Sequence, residues 1–453
     1  MKIHFIAIGG SAMHNLALAL HDKGYLISGS DDAIYEPSKS RLAQSGLLPT
    51  QMGWFAEKIT EDLDAVILGM HAKKDNPELL RAQELGLKIY SYPEFIYEEA
   101  KEKTRVVIGG SHGKTTITSM ILHVLKYWDI EADYLVGAQL TGFDRMVKLS
   151  DADFIVIEGD EYLSSPIDLS PKFHKYRAHI ALISGIAWDH INVFKTAEDY
   201  THQFSIFLDT LVEGGSITYN EEDVEVKELV SSCERPLRKF PYTTLEHSIV
   251  DGVTFIETEE GRVPIDVFGK HNVNNISGAQ WICQQMGVDA ADFFEAISSF
   301  KGAAKRLELV CQHKNIKVYK DFAHAPSKVK ASLGAVKEQF DGFKVVACFE
   351  LHTYSSLNAE FIQQYAHSLD QADEAIVYYT AEALALKNMP ELSVEEIRNA
   401  FKNPSIEVYT NAKAFEERLH EQISDCTVYL MMSSGNYGGF SFENFETKLV
   451  ECS

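Results

Sequence analysis

The chain has 453 residues, 45% of them hydrophobic, with 42 Lys plus Arg against 66 Asp plus Glu and a formal charge of −24. At about 150 residues per domain there is room for about three domains with sizeable cores. The acidic balance argues against a general nucleic-acid or anionic-membrane binder, and no apolar run approaches the ~18 residues of a membrane span.

The first residues read Met-Lys-Ile-His-Phe-Ile-Ala-Ile-Gly-Gly. The apolar part is too short for a signal peptide and predicts a first strand, Ile3–Ile8, ending in Gly9 and Gly10. Ser11–Lys23 has helical period, Tyr25–Ser28 and Ala65–Met70 read as strands, Leu79–Leu85 as a helix, and Lys88–Tyr90 closes the unit. A second unit opens near Arg105, with strands Val106–Ile108, Phe154–Ile157, Ile180–Ile183 and Ser216–Asn220 and a helix running to about Trp128. Val253–Glu257 and Val263–Val267 are β-rich, and Asn274–Met286 is a helix. A third unit begins near Ala304, with strands Ile316–Tyr319, Lys344–Phe349, Ala375–Tyr379 and Val428–Met432. Strands alternating with helices predict an α/β protein with parallel sheets. Cys233, Cys283, Cys311, Cys348, Cys426 and Cys452 form no CxxC pair, which suits a reducing cytoplasm and suggests neither zinc nor redox chemistry.

The sharpest motif is Val106-Val-Ile-Gly-Gly-Ser-His-Gly-Lys-Thr-Thr116. An apolar strand, glycines that let the backbone wrap a phosphate, and a helix N-terminus form an anion cradle. Lys114 would reach the β- and γ-phosphates and the Thr115 hydroxyl would ligate Mg²⁺. The spacing is that of a shortened loop, with Gly110 three residues before Gly113. The N-terminal Gly9-Gly10-Ser11 turn lacks two glycines of a dinucleotide fingerprint, so a plain strand–helix turn is its equal reading. Asp31 and Asp32 stand where a ribose-binding acid would.

Glu158-Gly-Asp160-Glu161 follows a strand, and Asp189-His190 follows the next. Carboxylates and an imidazole at adjacent strand ends are placed for Mg²⁺, although His190 reads equally as a hydrogen-bonded loop histidine. Asn272 or Asn275, in Gly269-Lys-His271-Asn272-Val-Asn274-Asn275, are alternatively helix caps. Asp321-Phe-Ala-His324-Ala-Pro326 is alternatively a polar turn, and Arg306 a surface ion pair with Glu308.

Taken in order, these clusters resemble the Mur ligase family, the ATP-dependent amide-bond-forming enzymes of peptidoglycan synthesis, over the whole chain. The resemblance implies a Rossmann-like UDP-sugar domain at 1–100, a central P-loop ATPase domain at 101–303 and a C-terminal Rossmann-like α/β domain at 304–453. Glu161-Tyr162, Ser170-Pro-Lys172-Phe-His-Lys-Tyr176, Ser91-Tyr-Pro93-Glu-Phe-Ile96 and Met432-Ser-Ser-Gly435-Asn-Tyr-Gly438-Gly439-Phe look like the murein peptide ligases. Those members attach L-alanyl-γ-D-glutamyl-meso-diaminopimelate to UDP-N-acetylmuramate in recycling. The second reading is the L-alanine-adding members, which usually carry Asp-Glu-Ser-Asp after the catalytic Glu and reach the next strand sooner.

On this resemblance ATP is held by Gly110, Ser111, His112, Gly113, Lys114, Thr115 and Thr116. His271, Asn272 and Asn275 line the nucleotide, while Arg306, Asp321 and His324 close over it. Thr115, Glu158 and His190 take Mg²⁺, and Lys114, Glu158 and His190 are the catalytic set. Gly9, Gly10, Ser11, Met13, Ser30 and Asp31 receive the UDP-sugar. Partners are UDP-N-acetylmuramate and a murein tripeptide, with no nucleic acid or membrane, in a cytoplasmic monomer or weak homodimer. Ala7 and Ala12 stand at usual glycine positions, and Lys320 where Asp is frequent. His352 and Ser356 stand near positions where relatives carry Arg. Phe204 takes the place of a carbamylated lysine, so no carbamate is expected.

Such a ligase first phosphorylates a carboxylate, and the resulting acyl phosphate is then attacked by an amine. That chemistry asks the protein for positioning and charge neutralisation. Rival readings are a nucleotide-gated UDP-sugar-binding protein that forms no bond, and a dinucleotide oxidoreductase using the N-terminal loop.

Overall fold

The computed structural model describes all residues except 141, 144, 190, 422, 452 and 453. Two compact units are formed: Met1–Ile186 with Glu198–Tyr242 and Gly278–Val288, and Ala187–Ala197 with Thr243–Ser277 and Asp289–Ser453.

The first unit carries two parallel sheets. One contains β1 (Lys2–Ile6), β2 (Leu26–Ser30), β3 (Ala65–Leu68) and β4 (Ile89–Ser91) in the order β2-β1-β3-β4. Its inner strands are buried from Ile3 to Ile6 and from Ala65 to Leu68, because parallel sheets are covered on both faces. Strand β1 stops at Ile6, two residues short of expectation, because Ala7 turns into the left-handed region at φ 69°. The motif Ser91-Tyr-Pro-Glu94 is a capping box opening the helix Tyr92–Glu99, with Pro in the first turn.

The other sheet contains β5 (Thr104–Gly109), β6 (Asp133–Leu135), β7 (Val147–Lys148), β8 (Phe154–Glu158), β9 (Ile180–Ile183), β10 (Ser216–Asn220) and β11 (Arg238–Tyr242). Their order is β11-β10-β9-β5-β8-β6-β7, parallel except for β7 against β6. Strand β5 lies centrally, with Ile108 level with Glu158 and Gly109 level with Ile183. Three strand ends thus meet at one edge, the usual place for a ligand in such sheets. Phe173, Phe204 and Phe207 are fully buried, Phe173 stacking on Phe207 at 4.7 Å and meeting Phe204 edge-on.

The second unit holds an antiparallel sheet of β12 (His247–Val250), β13 (Val253–Thr258) and β14 (Gly261–Ile265). It also holds a six-stranded sheet of β15 (Glu308–His313), β16 (Ile316–Asp321), β17 (Lys344–Glu350), β18 (Glu374–Tyr378), β19 (Glu407–Tyr409) and β20 (Thr427–Met432). The order is β15-β16-β20-β17-β18-β19, with only β15 antiparallel to its neighbour. Separate apolar clusters cover its faces, one around Phe349 and Leu430, the other around Cys348 and Met431. Strands β7, β12, β15 and β19 were not expected; β7 and β19, of two and three residues, are too short to show a period. Among the described residues no helix is long and apolar enough to cross a membrane.

Candidate active site

Strand β5 delivers the chain into the turn Gly110–Gly113, which opens the helix Lys114–Tyr127. Gly110 has φ 128° and Gly113 φ 78°, and a Cβ at Gly110 would run into Ser184. Only glycine fits there. Ser111 N donates to Gly185 O at 2.9 Å, and Ser184 Oγ donates to His112 O, tying the turn to the end of β9.

Lys114 lies over the turn. Its ammonium donates to Gly110 O at 2.5 Å and to Glu161 Oε2 at 2.6 Å. Burial alone would lower its pKa, but the carboxylates of Glu161, Asp160 and Glu158 outweigh it and hold the group above its ordinary range. Thr115 Oγ1 donates to Glu158 Oε1 at 2.7 Å, and Gly137 N donates to Glu158 Oε2 at 2.8 Å. A Cβ on Gly137 would sit 2.9 Å from Oε1, so a glycine is what lets the loop approach this carboxylate. Asp160 pairs with Lys172; burial opposes its ionisation, but Lys172 and Lys114 keep its pKa below the usual carboxylate range.

The structure therefore brings Lys114, Thr115 and Glu158 together at one sheet edge. Ser111, Thr115 and Thr116 are buried, and a helix N-terminus faces the turn. A turn followed by a helix N-terminus has the form of an anion cradle. Among the described residues no cluster of three or more His, Cys, Asp or Glu side chains forms a cage for a metal. A hydroxyl and one carboxylate beside a phosphate cradle instead fit Mg²⁺, which takes one or two carboxylates together with substrate phosphates and water. His190 lies outside the described residues.

In the N-terminal sheet the Gly loop is held from below. Gly9 N donates to Asp31 Oδ2 at 2.7 Å, and Ser30 Oγ accepts from Lys58 Nζ at 2.9 Å. Ser30, Asp31 and Met13 are buried, whereas Ser11 is exposed and Gly9 and Gly10 are partly so. Ser30 and Asp31, expected to receive the UDP-sugar, also shape this loop: Ser30 is fully buried, and Asp31 accepts the Gly9 N–H with one of its two oxygens.

The helix Lys270–Gln285 begins four residues earlier than expected, after Gly269 at φ 87°. His271, Asn272 and Asn275 thus lie inside its first turns, and Asn272 donates to Phe268 O at 2.9 Å. Neither asparagine has the place of an N-cap. Burial pushes His271 down to about 4. Asp321 spends both oxygens on main-chain donors, Leu307 N at 2.7 Å and Ala323 N at 2.6 Å. It joins two loops as a brace. The Arg306 guanidinium lies over the Phe322 ring at 4.7 Å, and Phe322 meets His324 edge-on at 5.2 Å. Asp189 pairs with Lys328 at 3.5 Å, and burial followed by Lys328 pushes His324 down to about 4. Ser356 is spent in a capping box with Thr353, while His352 stays partly exposed 3.9 Å from Glu350.

Glu161 was expected only as one of several possible metal carboxylates; its partnership with Lys114 depends on a turn that sequence spacing does not describe. Tyr200, whose hydroxyl lies 2.8 Å from Ser111 Oγ, was not anticipated. Its one signal was a tyrosine on an apolar helical face.

Comparison with known proteins identifies the family. Residues 2–104 match the Mur ligase family catalytic domain, 108–283 the Mur ligase middle domain, and 305–435 the Mur ligase glutamate ligase domain. A UDP-N-acetylmuramate–L-alanine ligase of Sulfurihydrogenibium sp. (strain YO3AOP1) is 32% identical over 445 residues, covering 96% of this chain and 95% of its own. The crystal structure of the UDP-N-acetylmuramate–alanine ligase from Thermotoga maritima superposes with a TM-score of 0.71 at 22% identity, covering 100% and 99%. That of the UDP-N-acetylmuramate:L-alanyl-γ-D-glutamyl-meso-diaminopimelate ligase from Neisseria meningitides gives 0.60 at 26%, covering 66% of this chain and 98% of that one. The chain belongs to the Mur ligase family. It is an α/β protein of three family domains and an ATP-dependent, Mg²⁺-requiring amide-bond ligase.

Proposed function

We propose that this ligase joins the carboxylate of UDP-N-acetylmuramate to the amine of L-alanyl-γ-D-glutamyl-meso-diaminopimelate, in cytoplasmic recycling of peptidoglycan. The observation that carries the choice of amine is the excursion at 159–179, between the end of β8 and the start of β9. It folds on itself through a Leu163–Pro171 bridge, a Ser164–Ser170 hydrogen bond of 2.7 Å and a Lys175–Asp168 ion pair. It presents Ile167 and Leu169 to solvent, and it begins at the partner of Lys114. Such a built surface beside the phosphate cradle suits an extended peptide better than a single amino acid. The 26% identity to the Neisseria enzyme supports the same reading.

A second reading has L-alanine as the amine. The curated relatives favour it: the Sulfurihydrogenibium protein and the others with 27–32% identity are all L-alanine ligases.

In either reading Gly110–Thr116 would cradle ATP, Thr115 and Glu158, with His190, would hold Mg²⁺, and His271, Asn272, Asn275, Arg306 and His324 would serve the nucleotide, with Asp321 bracing the loops that carry Arg306 and His324. Bound Mg²⁺ supplies charge neutralisation at the phosphates. Lys114 orients them, and Gly9, Gly10, Ser11 and Met13 form the UDP-sugar loop braced by Ser30 and Asp31. The working boundaries are 1–100, 101–303 and 304–453, in a monomer or weak homodimer.

The test is phosphate release from Mg-ATP and UDP-N-acetylmuramate with either amine. Release with tripeptide alone, giving a UDP-sugar–tripeptide by mass, is the expected result. Release with L-alanine alone replaces it by the second reading. Nucleotide binding without release in either mixture would favour a binding protein.

A further inference from the structure

We infer that Glu161 is a positioning residue for the phosphate loop, fixing the Lys114 ammonium directly and the Ser111 hydroxyl through Tyr200. The inference rests on the reading of this loop as the Mg-ATP site.

Glu161 is only 1% exposed, yet both of its oxygens are used. Oε2 accepts from Lys114 Nζ at 2.6 Å, and Oε1 accepts from Tyr200 Oη at 3.1 Å. The same Tyr200 oxygen lies 2.8 Å from Ser111 Oγ. Tyr200 is fully buried and held edge-on by Phe204 at 5.4 Å, so its hydroxyl is fixed by apolar packing. Ser111, Tyr200, Glu161 and Lys114 thus form one chain of hydrogen bonds joining the middle of the turn to the start of its helix.

An ammonium has three N–H donors. Gly110 O and Glu161 Oε2 take two of them at 2.5 and 2.6 Å; one acceptor is main chain and the other belongs to a buried side chain bonded through both oxygens. The third N–H then has one direction left. A carboxylate against this lysine also offsets part of its charge and so weakens its ground-state attraction for phosphate. Glu161 therefore contributes alignment at some cost in affinity. Alignment is what phosphoryl transfer draws on most.

The experiment compares Glu161→Ala, Glu161→Gln, Tyr200→Phe and the double variant Glu161→Ala/Tyr200→Phe in the full chain. Mg-ATP binding is followed by calorimetry and phosphate release by steady-state kinetics. Glu161→Ala is expected to bind Mg-ATP at one per chain with equal or tighter affinity while kcat falls about tenfold or more. Glu161→Gln, which keeps an acceptor for the lysine, recovers part of that loss. Tyr200→Phe slows turnover about threefold, and the double variant is no slower than Glu161→Ala because both act through one hydrogen-bonded chain. A merely structural defect would reduce binding stoichiometry and kcat together. A kcat for Glu161→Ala within about twofold of the parent, or losses that simply add, would overturn the assignment. Should Glu161→Ala not fold, Tyr200→Phe decides, and an unchanged kcat there rejects it. Failure of the parent to bind Mg-ATP removes the nucleotide reading and this inference with it; binding by the parent with unchanged variants removes the inference alone.

Discussion

Glu158 ends β8 and Thr115 lies in the first turn of the helix that follows β5, and the two are bonded to each other, Oγ1 donating to Oε1 at 2.7 Å. The register of β5 and β8 makes this possible, since Ile108 lies level with Glu158. On the proposed reading, this hydroxyl and carboxylate would be two of the oxygens that take Mg²⁺.

Glu158→Gln keeps the size and an acceptor for Thr115 but removes the charge. Phosphate release is expected to fall by about 10²-fold or more, with a melting temperature within a few degrees of the parent. Unchanged turnover at saturating Mg-ATP would remove Glu158 from the metal site.

Gly110→Ala places a Cβ against Ser184 at a backbone angle of φ 128°. The turn must deform, and the expected result is loss of Mg-ATP binding by calorimetry with about 1–3 kcal/mol lost in urea unfolding. Nucleotide binding at parental affinity would show that the turn is not the cradle.

Burial holds His271 and His324 down to about 4, against an unfolded value near 6.5. Between those values the unfolded chain binds more protons than the folded one, so stability rises with pH there. The contribution is complete above about pH 6.5 and is lost as the pH falls toward about 4, with roughly 1–2 kcal/mol per histidine after allowance for partial exposure. Urea midpoints at pH 5 and pH 7.5 test this, and the difference should shrink in a His271→Gln/His324→Gln variant. An unchanged difference would assign the acid sensitivity to other groups.

Ala7 holds a left-handed conformation at φ 69°, a region that favours glycine. Ala7→Gly relieves the backbone but frees the unfolded chain, so stability should change by no more than about 1 kcal/mol. Ala7→Val, β-branched at positive φ and close to Gly69, should cost about 2 kcal/mol or more. Equal stabilities for the two would show that the loop rearranges around the residue.

The alternation of strand and helix, the parallel sheets and the phosphate turn were legible in the chain because each is local. An apolar run, two glycines and Gly-Lys-Thr-Thr define a strand, a turn and a helix start without help from elsewhere. The ordered motifs likewise identified the family. Other assignments needed the tertiary structure because they depend on which strand lies beside which. Glu161 stands 47 residues from Lys114 and Tyr200 stands 89 from Ser111, and no spacing rule connects such pairs. Residue type alone also did not distinguish a carboxylate that faces a ligand from one that braces a loop. Asp31 and Asp321 carry the chemistry of a binding site, but the fold surrounds them with main-chain N–H groups, and a buried acceptor bonds to the donors it is folded against.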